Sequence, residues 1–332
     1  MKKVIAIVFS DLHLGKYNKF NQEYKRTLSL FRVLFDIRKI CNKYKVPAIF
    51  CGDLLHKQEV IENDFYSILT EKFLKLDRGI DDVPGKKFVI YAISGNHDMN
   101  VANSISKRSS SWVNTLSKQY RFIRCIDFKN EMVGVGGFSF RLHGVPYIDH
   151  NNGLNEYIKN IPIDDKVPNI LMLHTDYPGA KDTDGVEVNS VENLNINLLK
   201  KFDLVLIGHI HKPQRLSKKV YMVGAPCQQR RTDKDCNLGY WELYDDLTMK
   251  FIPLQDYPKF IDVPTENEVK DDGNYYTVIS QPSRDKEEIV ENKINTKLSP
   301  KRLVRRYLKS RGELTDDKQS ILLNLIKDSS ND

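Results

Sequence analysis

The sequence predicts an α/β (α+β) chain: a two-sheet β-sandwich flanked by helices, a small α/β capping region, and a C-terminal helix-loop-helix. Three observations predict it. Up to residue 93, short apolar runs alternate with amphipathic stretches of helical period, the grammar of βαβ units with right-handed crossovers. Beyond residue 98, strand-like runs separated by Gly- and Pro-bearing loops predominate. Finally, five short apolar runs each deliver Asp, Asn or His at their carboxyl ends. In open α/β folds that edge is where sites form.

The elements follow in order. Val4 to Phe9 is the first strand, ending in Ser10-Asp11-Leu12-His13. A helix is expected over Gln22 to Tyr44, because Leu30, Leu34, Ile37 and Cys41 share one face. Ala48 to Cys51 is the second strand, ending in Gly52-Asp53-Leu54-Leu55-His56, and a second helix carries Phe65, Leu69, Phe73 and Leu76. Phe88 to Ile93 runs into Gly95-Asn96-His97-Asp98. After a polar loop over Ser104 to Ser111, a short helix is expected near Trp112 to Lys118, with strands over Phe122 to Ile126 and Val133 to Leu142 and a short helix over Asn155 to Ile161. Ile170 to Leu173 ends in His174, and Leu204 to Ile207 ends in Gly208-His209-Ile210-His211. Strands at Val220 to Val223, Tyr240 to Tyr244 and Met249 to Pro253 complete a first domain over 1–256. A capping domain over 257–298 is expected to hold a strand at Tyr275 to Ser280 and a helix at Lys286 to Lys293. Two helices in 299–332 present Leu303, Val304, Tyr307 and Leu308, then Leu322 and Leu325, as apolar stripes that need a cover.

Composition narrows the function classes. The 332 residues carry 51 Lys+Arg against 44 Asp+Glu, a net +7, which permits a nucleic-acid partner without requiring one. Five scattered cysteines with no C-x-x-C pair point to reduced thiols and a cytoplasmic location. The first apolar run is too short for a signal peptide, and no run reaches the roughly 18 apolar residues of a membrane span. There is no ATP-binding glycine loop and no internal repeat.

The strand-end residues suit a metal centre. Asp, Asn and His without thiolates fit a hard or borderline divalent ion rather than a structural zinc. Two ions about 3.5–4 Å apart need a bridging ligand, and Asp53, alone at its strand end, is placed to bridge. Asp11 and His13, two apart on an extended segment, point to one side and grip one ion. His209 and His211 have the same spacing in a loop and can diverge, one to each ion. Asn96 supplies an amide oxygen, and His174 completes the second ion. Such a pair of ions activates a hydroxide for in-line attack on phosphorus. His97 is the candidate proton donor to the leaving oxygen, with Asp98 either fixing its tautomer or serving as a turn or helix-cap residue.

The series Asp11-x-His13, Gly52-Asp53, Gly95-Asn96-His97-Asp98, His174 and Gly208-His209-x-His211 resembles the calcineurin-like metallophosphoesterase superfamily. Gly52-Asp53-Leu54-Leu55-His56 is similar to the SbcD nucleases and their archaeal and eukaryotic counterparts, the Mre-eleven family. Leu54 to Gln58 lacks the Asp-Arg-Gly run of the protein phosphatases. The resemblance implies that Asp11, His13, Asp53 and His211 hold one ion, with Mn2+ the expected metal, and that Asp53, Asn96, His174 and His209 hold the other. It implies that His97 and His56 handle the phosphodiester. Gly224-Ala225-Pro226, Leu238-Gly239-Tyr240-Trp241 and Phe251-Ile252-Pro253 follow the order found at the end of that nuclease domain. The closing segment is similar to that of the recombination nuclease subunit of T-even phages. A helix-loop-helix there docks on an SMC-like ATPase of the SbcC or Rad-fifty type, which implies a homodimer within a heterotetramer.

The expected function is thus a metal-dependent DNA nuclease subunit, a 3′-to-5′ duplex exonuclease and single-strand endonuclease in recombination and repair. Two alternatives stand beside it: a small-molecule or cyclic-nucleotide phosphodiesterase, which would not need the terminal helices, and a non-catalytic scaffold tethering an ATPase to DNA. Arg230 and Arg231 are candidate DNA-phosphate contacts or a solvated loop. His143, Cys227 and Cys236 have no motif and are read as ordinary residues.

Overall fold

The computed structural model describes residues 2–57, 61–78, 88–99, 111–148, 153–188 and 194–279. The helix expected at Lys286 to Lys293, and the terminal helices with Leu303, Val304, Tyr307, Leu308, Leu322 and Leu325, lie outside the described residues. So does the polar loop expected from Ser104, up to its last residue, Ser111.

The first sheet has six strands in the order β12-β11-β1-β2-β3-β4. Its parallel half comprises β1 (Val4–Phe9), β2 (Ala48–Phe50), β3 (Ile90–Ala92) and β4 (Ile123–Cys125). β11 (Gly239–Tyr244) and β12 (Met249–Pro253) extend it antiparallel beyond β1. The second sheet runs β5-β6-β7-β8-β10-β9. Here β6 (Phe138–Val145), β7 (Asn169–His174), β8 (Leu204–Gly208) and β10 (Val220–Met222) are parallel, flanked by β5 (Lys129–Val135) and β9 (Gln214–Arg215).

Strand alternation builds the layers. Ala6, Val8, Ile49 and Tyr91 of the first sheet pack on Phe140, Leu142, Ile170, Met172 and Leu206 of the second, forming the sandwich interior. The opposite faces bury against helices. Ile7, Phe9, Phe50 and Ile90 meet α1 (Lys25–Tyr44), α2 (Asn63–Arg78) and α3 (Trp112–Gln119). Leu171, Leu173, Val205 and Ile207 meet α4 (Leu154–Lys159) and Phe202. Strands covered on both faces read as continuous apolar runs, which is why β1, β7 and β8 are so plain in the sequence. Each fully buried Phe or Leu contributes roughly 1.5–3 kcal/mol.

Register brings the site together. Phe9 pairs with Phe50 and Phe50 with Ala92, so β1, β2 and β3 end level and release their loops at one edge. In the second sheet His174 pairs with Gly208.

Two local expectations change, and one strand is added. The helix expected from Gln22 starts its α-helical run at Lys25, after a tight 3-10 turn with Glu23 and Tyr24 in the left-handed region. The strand expected over Val133 to Leu142 is two strands, because Gly136 and Gly137 both take positive φ and turn the chain into a hairpin. After residue 256 the strand expected at Tyr275 is present as β14 (Tyr275–Val278). It pairs in parallel with β13 (Phe260–Val263), which polar Asp262 and flanking prolines mask in the sequence.

Candidate metal centre

Every predicted ligand lies where a strand ends at the shared edge. Backbone conformation aims several of them: Asp11 (φ 51), His13 (φ 49), Asp53 (φ 60) and His209 (φ 99) are all non-glycine residues in the left-handed region. Such residues cost of order 1–3 kcal/mol each and concentrate at functional sites. The glycines beside these residues are there for close approach. A Cβ at Gly95 would sit 2.1 Å from Asp53 Oδ1, and one at Gly52, itself at φ 99, would sit 2.3 Å from His174 Nδ1.

Among the described residues three groups bring potential ligand atoms within 4.8 Å of one another, and two of them are made of predicted ligands: Asp11, His13 and His211, and Asp53, His174 and His209. Asp53 lies between them, with Oδ2 3.6 Å from His13 Nε2 and 3.4 Å from His174 Nε2. Asn96 Oδ1 is 3.1 Å from both His174 Nε2 and His209 Nδ1, which puts it with the second group. Asp11 accepts hydrogen bonds from the His209 backbone N–H at 3.1 and 3.2 Å.

The residues fit divalent ions. His13 Nε2 and His211 Nε2 approach to 3.2 Å, while His211 commits Nδ1 to Asp233. Ring nitrogens and carboxylate oxygens thus converge from separate strands on shared points. Two carboxylates, one amide oxygen and four imidazoles are an oxygen–nitrogen set suited to Mn2+, Fe or Zn2+. The electrostatics agree. Burial opposes the charge on Asp53, but His174 and His13 beside it hold its carboxyl well below the usual carboxylate range. Burial alone would lower His174, yet Asp53 raises it to about 9. Burial and the neighbouring rings lower His209 to about 4 and hold His13 well below the ordinary histidine value.

His56 and His97 stand beside the first group. Their rings are 6.0 Å apart and nearly parallel at 14°, and with His13, Arg230 and Asp176 they line a cleft of ≈ 300 Å³. His13, His56 and His97 also bring ring nitrogens within 4.8 Å of one another. Burial, then His97, lowers His56 to about 4. Tyr17 packs on the His56 ring with centroids 4.7 Å apart and donates to the His13 carbonyl, while Arg26 stacks 3.6 Å over Tyr17.

Asp98 is corrected. It does not hold His97: the His97 Nδ1 faces the His56 carbonyl oxygen at 2.7 Å. The Asp98 carboxylate instead accepts from the backbone N–H groups of Leu54, Leu55 and Gly95, tying the second and third ligand loops together. Burial and the nearby Asp53 raise its pKa to about 7. Of the two arginines, Arg230 lines the cleft and pairs through Nε with Asp233 at 3.3 Å, whereas Arg231 pairs with Asp262 of β13 at 2.6 Å. Sequence reasoning missed Asp233 and Asp176. Asp233 left no signal. Asp176 did, since His174-x-Asp176 repeats the spacing of Asp11-x-His13.

A profile of calcineurin-like phosphoesterases matches residues 6–213, from β1 through Gly208-His209-x-His211. The chain belongs to the calcineurin-like phosphoesterase family. As a member it is a phosphoester hydrolase of the metal-dependent kind. This calcineurin-like phosphoesterase is 26% identical over 226 residues to putative phosphoesterase 244L of Invertebrate iridescent virus 6, covering 65% of this chain and 70% of the viral one. It is 24% identical over 193 residues to the SbcD component of the SbcCD nuclease of Staphylococcus epidermidis, covering 51% of this chain and 50% of that protein. Among solved structures, a putative 5′-nucleotidase from Staphylococcus aureus aligns at 15% identity and a TM-score of 0.40, over 66% of this chain and 48% of that one. No helix among the described residues is long and apolar enough to cross a membrane.

Proposed function

We propose that this calcineurin-like phosphoesterase is a DNA nuclease, the catalytic subunit of an SMC-like ATPase–nuclease assembly in recombination and repair. The observation that carries the reading is the His56–His97 pair over the first ligand group, in a cleft whose rim holds Arg230. The likeness to a component of the SbcCD nuclease supports it. In this reading Asp11, His13, Asp53 and His211 hold one divalent ion and Asp53, Asn96, His174 and His209 the other, with Mn2+ proposed for both. When bound, such ions polarise the phosphodiester and supply the attacking hydroxide. The chain's own residues do the rest. Because the His56 carbonyl can only accept, His97 keeps a proton on Nδ1 and exchanges one at Nε2, which suits it to protonate the leaving 3′ or 5′ oxygen. His56, neutral at physiological pH, orients a phosphate oxygen. Arg230 contacts the neighbouring phosphate.

Residues 299–332, with the stripe Leu303, Val304, Tyr307, Leu308 and its companion Leu322 and Leu325, are proposed to dock on the ATPase, and 257–298 to cap the DNA. A homodimer within a heterotetramer, acting in the cytoplasm, completes the proposal.

The test is cleavage of an end-labelled duplex and a single-stranded circle, with Mn2+ against Mg2+, by wild type and His97→Ala, with and without the ATPase. Mn2+-dependent cutting lost in His97→Ala is expected. Hydrolysis of small phosphodiesters with DNA left intact, even with the ATPase present, would replace the nuclease reading with that of a small-molecule phosphodiesterase.

A further inference from the structure

Of the two histidines over the first ligand group, His97 is held by a hydrogen bond and His56 by packing. His97 Nδ1 faces the His56 carbonyl oxygen at 2.7 Å. His56 Nδ1 is buried and has no hydrogen-bond partner among the described residues. Tyr17 supplies the packing, with ring centroids 4.7 Å apart and an interplanar angle of 33°. The Tyr17 hydroxyl donates to the His13 carbonyl, which pins the Tyr17 ring at its far end. Behind that ring stands Arg26 of α1, its guanidinium carbon 3.6 Å from the Tyr17 centroid.

Arg26 is 8% exposed. Among the described residues its partners are aromatic faces and backbone carbonyls rather than a carboxylate. Phe260 of β13 and Tyr275 of β14 complete a cage with Tyr17, their centroids 5.4 and 5.5 Å from the guanidinium carbon. All three rings lie within the roughly 6 Å at which an aromatic face attracts a cation. In the plane of the guanidinium, Nη2 donates to the Gln229 carbonyl at 2.6 Å and Nη1 to the Lys19 carbonyl at 3.4 Å. Gln229 precedes Arg230, which lines the cleft with His56.

We propose that Arg26 is a positioning residue that holds His56 through Tyr17, holds Arg230 through the Gln229 carbonyl, and anchors both to the β13–β14 sheet. A planar guanidinium suits the task because it stacks through its faces and donates through its edge, whereas an ammonium group brings charge without either geometry. A second tie runs beside it. The Phe260 backbone N–H donates to Gln228 Oε1 at 2.7 Å, and Gln228 Nε2 donates to the Lys234 carbonyl at 2.9 Å. Strand β13 and the loop that carries Arg230 are therefore fixed to each other. Phe260 and Tyr275 do not line the cleft and act on it through Arg26 and this loop.

The inference rests on the reading of His56 and Arg230 as phosphate-facing groups, and the experiment separates the two. The 13Cε1–1H NMR signal of His56 in the metal-free chain, assigned with His56→Ala, reads the placement of the ring without ion or substrate. KM and kcat on bis(nitrophenyl) phosphate with Mn2+ read its consequence. Arg26→Met keeps the stem and removes the charge, an exchange of a buried ion that is often neutral for stability. It is expected to shift the His56 signal, to leave that of buried His143 in place, and to raise KM about tenfold with kcat within about twofold. In combination with His56→Ala the rise in KM should be less than multiplicative. Phe260→Leu keeps apolar bulk but removes a wall of the cage. It should give smaller changes of the same sign, and it carries the test if Arg26→Met does not fold. A merely structural role would lower Tm and leave both the His56 signal and KM unmoved. An unmoved signal, or KM raised by His56→Ala but not by Arg26→Met, would overturn the proposal. A shifted signal with KM unchanged even in His56→Ala would support the positioning while removing the phosphate role of His56.

Discussion

Asp53 Oδ2 and His174 Nε2 lie 3.4 Å apart with both side chains buried. In the metal-free chain burial works against both charges, yet each stabilises the other: the carboxyl sits well below its usual range and the imidazole rises to about 9. A proton on His174 thus takes the place that a divalent ion would claim from the neutral ring. Mn2+ affinity should rise with pH, by about tenfold per unit below about pH 9, and flatten above it. Calorimetry near pH 7.5 in two buffers of different ionisation enthalpy should report about one proton released per chain. The sign for stability is opposite. Because the folded pKa of His174 lies above its unfolded value of about 6.5, the metal-free chain has the full benefit of the pair below that pH. It loses that benefit as pH rises through about 9. A pH-independent Mn2+ affinity would show that His174 is not a ligand.

His97 is expected to act through Nε2. His97→Ala should lower kcat on an alkyl phosphodiester by about 10²–10⁴ while leaving Mn2+ affinity within a few-fold. The loss should be smaller on a nitrophenyl diester, whose leaving group needs no proton. Equal losses on the two esters would count against His97 as the proton donor.

Gly95 leaves no room for a side chain: an added Cβ would meet Asp53 Oδ1 at 2.1 Å and Asp53 N at 2.4 Å. Gly95→Ala should push Asp53 from its place between the ligand groups. Stability should fall by about 1–3 kcal/mol, and Mn2+ affinity by more than about tenfold, since ligand and support move together. Denaturation in chelator separates the first effect from the second. Normal Mn2+ binding in this variant would mean that the Asp53 position is not critical.

Asp98 should prove structural. Asp98→Ala leaves the buried N–H groups of Leu54, Leu55 and Gly95 without their carboxylate acceptor. At about 1–3 kcal/mol per orphaned group, with partial relaxation, the loss should be about 3–5 kcal/mol in urea unfolding. Asp98→Asn, which keeps one oxygen, should lose less. A variant of unchanged stability but altered His97 pH dependence would restore the role that its neighbour in sequence had suggested.

Much of this was legible because it is local. The strands announced themselves as apolar runs, the helices as stripes of Leu and Phe, and the candidate ligands as Asp, Asn or His directly after a strand. The hairpin at Gly136-Gly137 left a signal too, a turn dipeptide between apolar runs, although the alternation of Phe138, Phe140 and Leu142 reads as one strand with what precedes it. β13 left none, because its pairing with β14 and its ion pairs from Asp262 to Arg231 and Lys234 come from distant residues.

Which residues lie at the strand ends is written locally in the chain, since apolar period and chain punctuation depend on neighbours a few positions away. Which atom each of them faces there depends on packing between distant parts of the chain. The acceptors that choose a histidine's tautomer arrive from far along the chain: Asp233 is 22 residues from His211, the His56 carbonyl 41 from His97, and the Cys51 carbonyl 123 from His174. A ring nitrogen is set by the atom opposite it, and that atom is chosen by sheet register and loop packing rather than by the residue next in sequence.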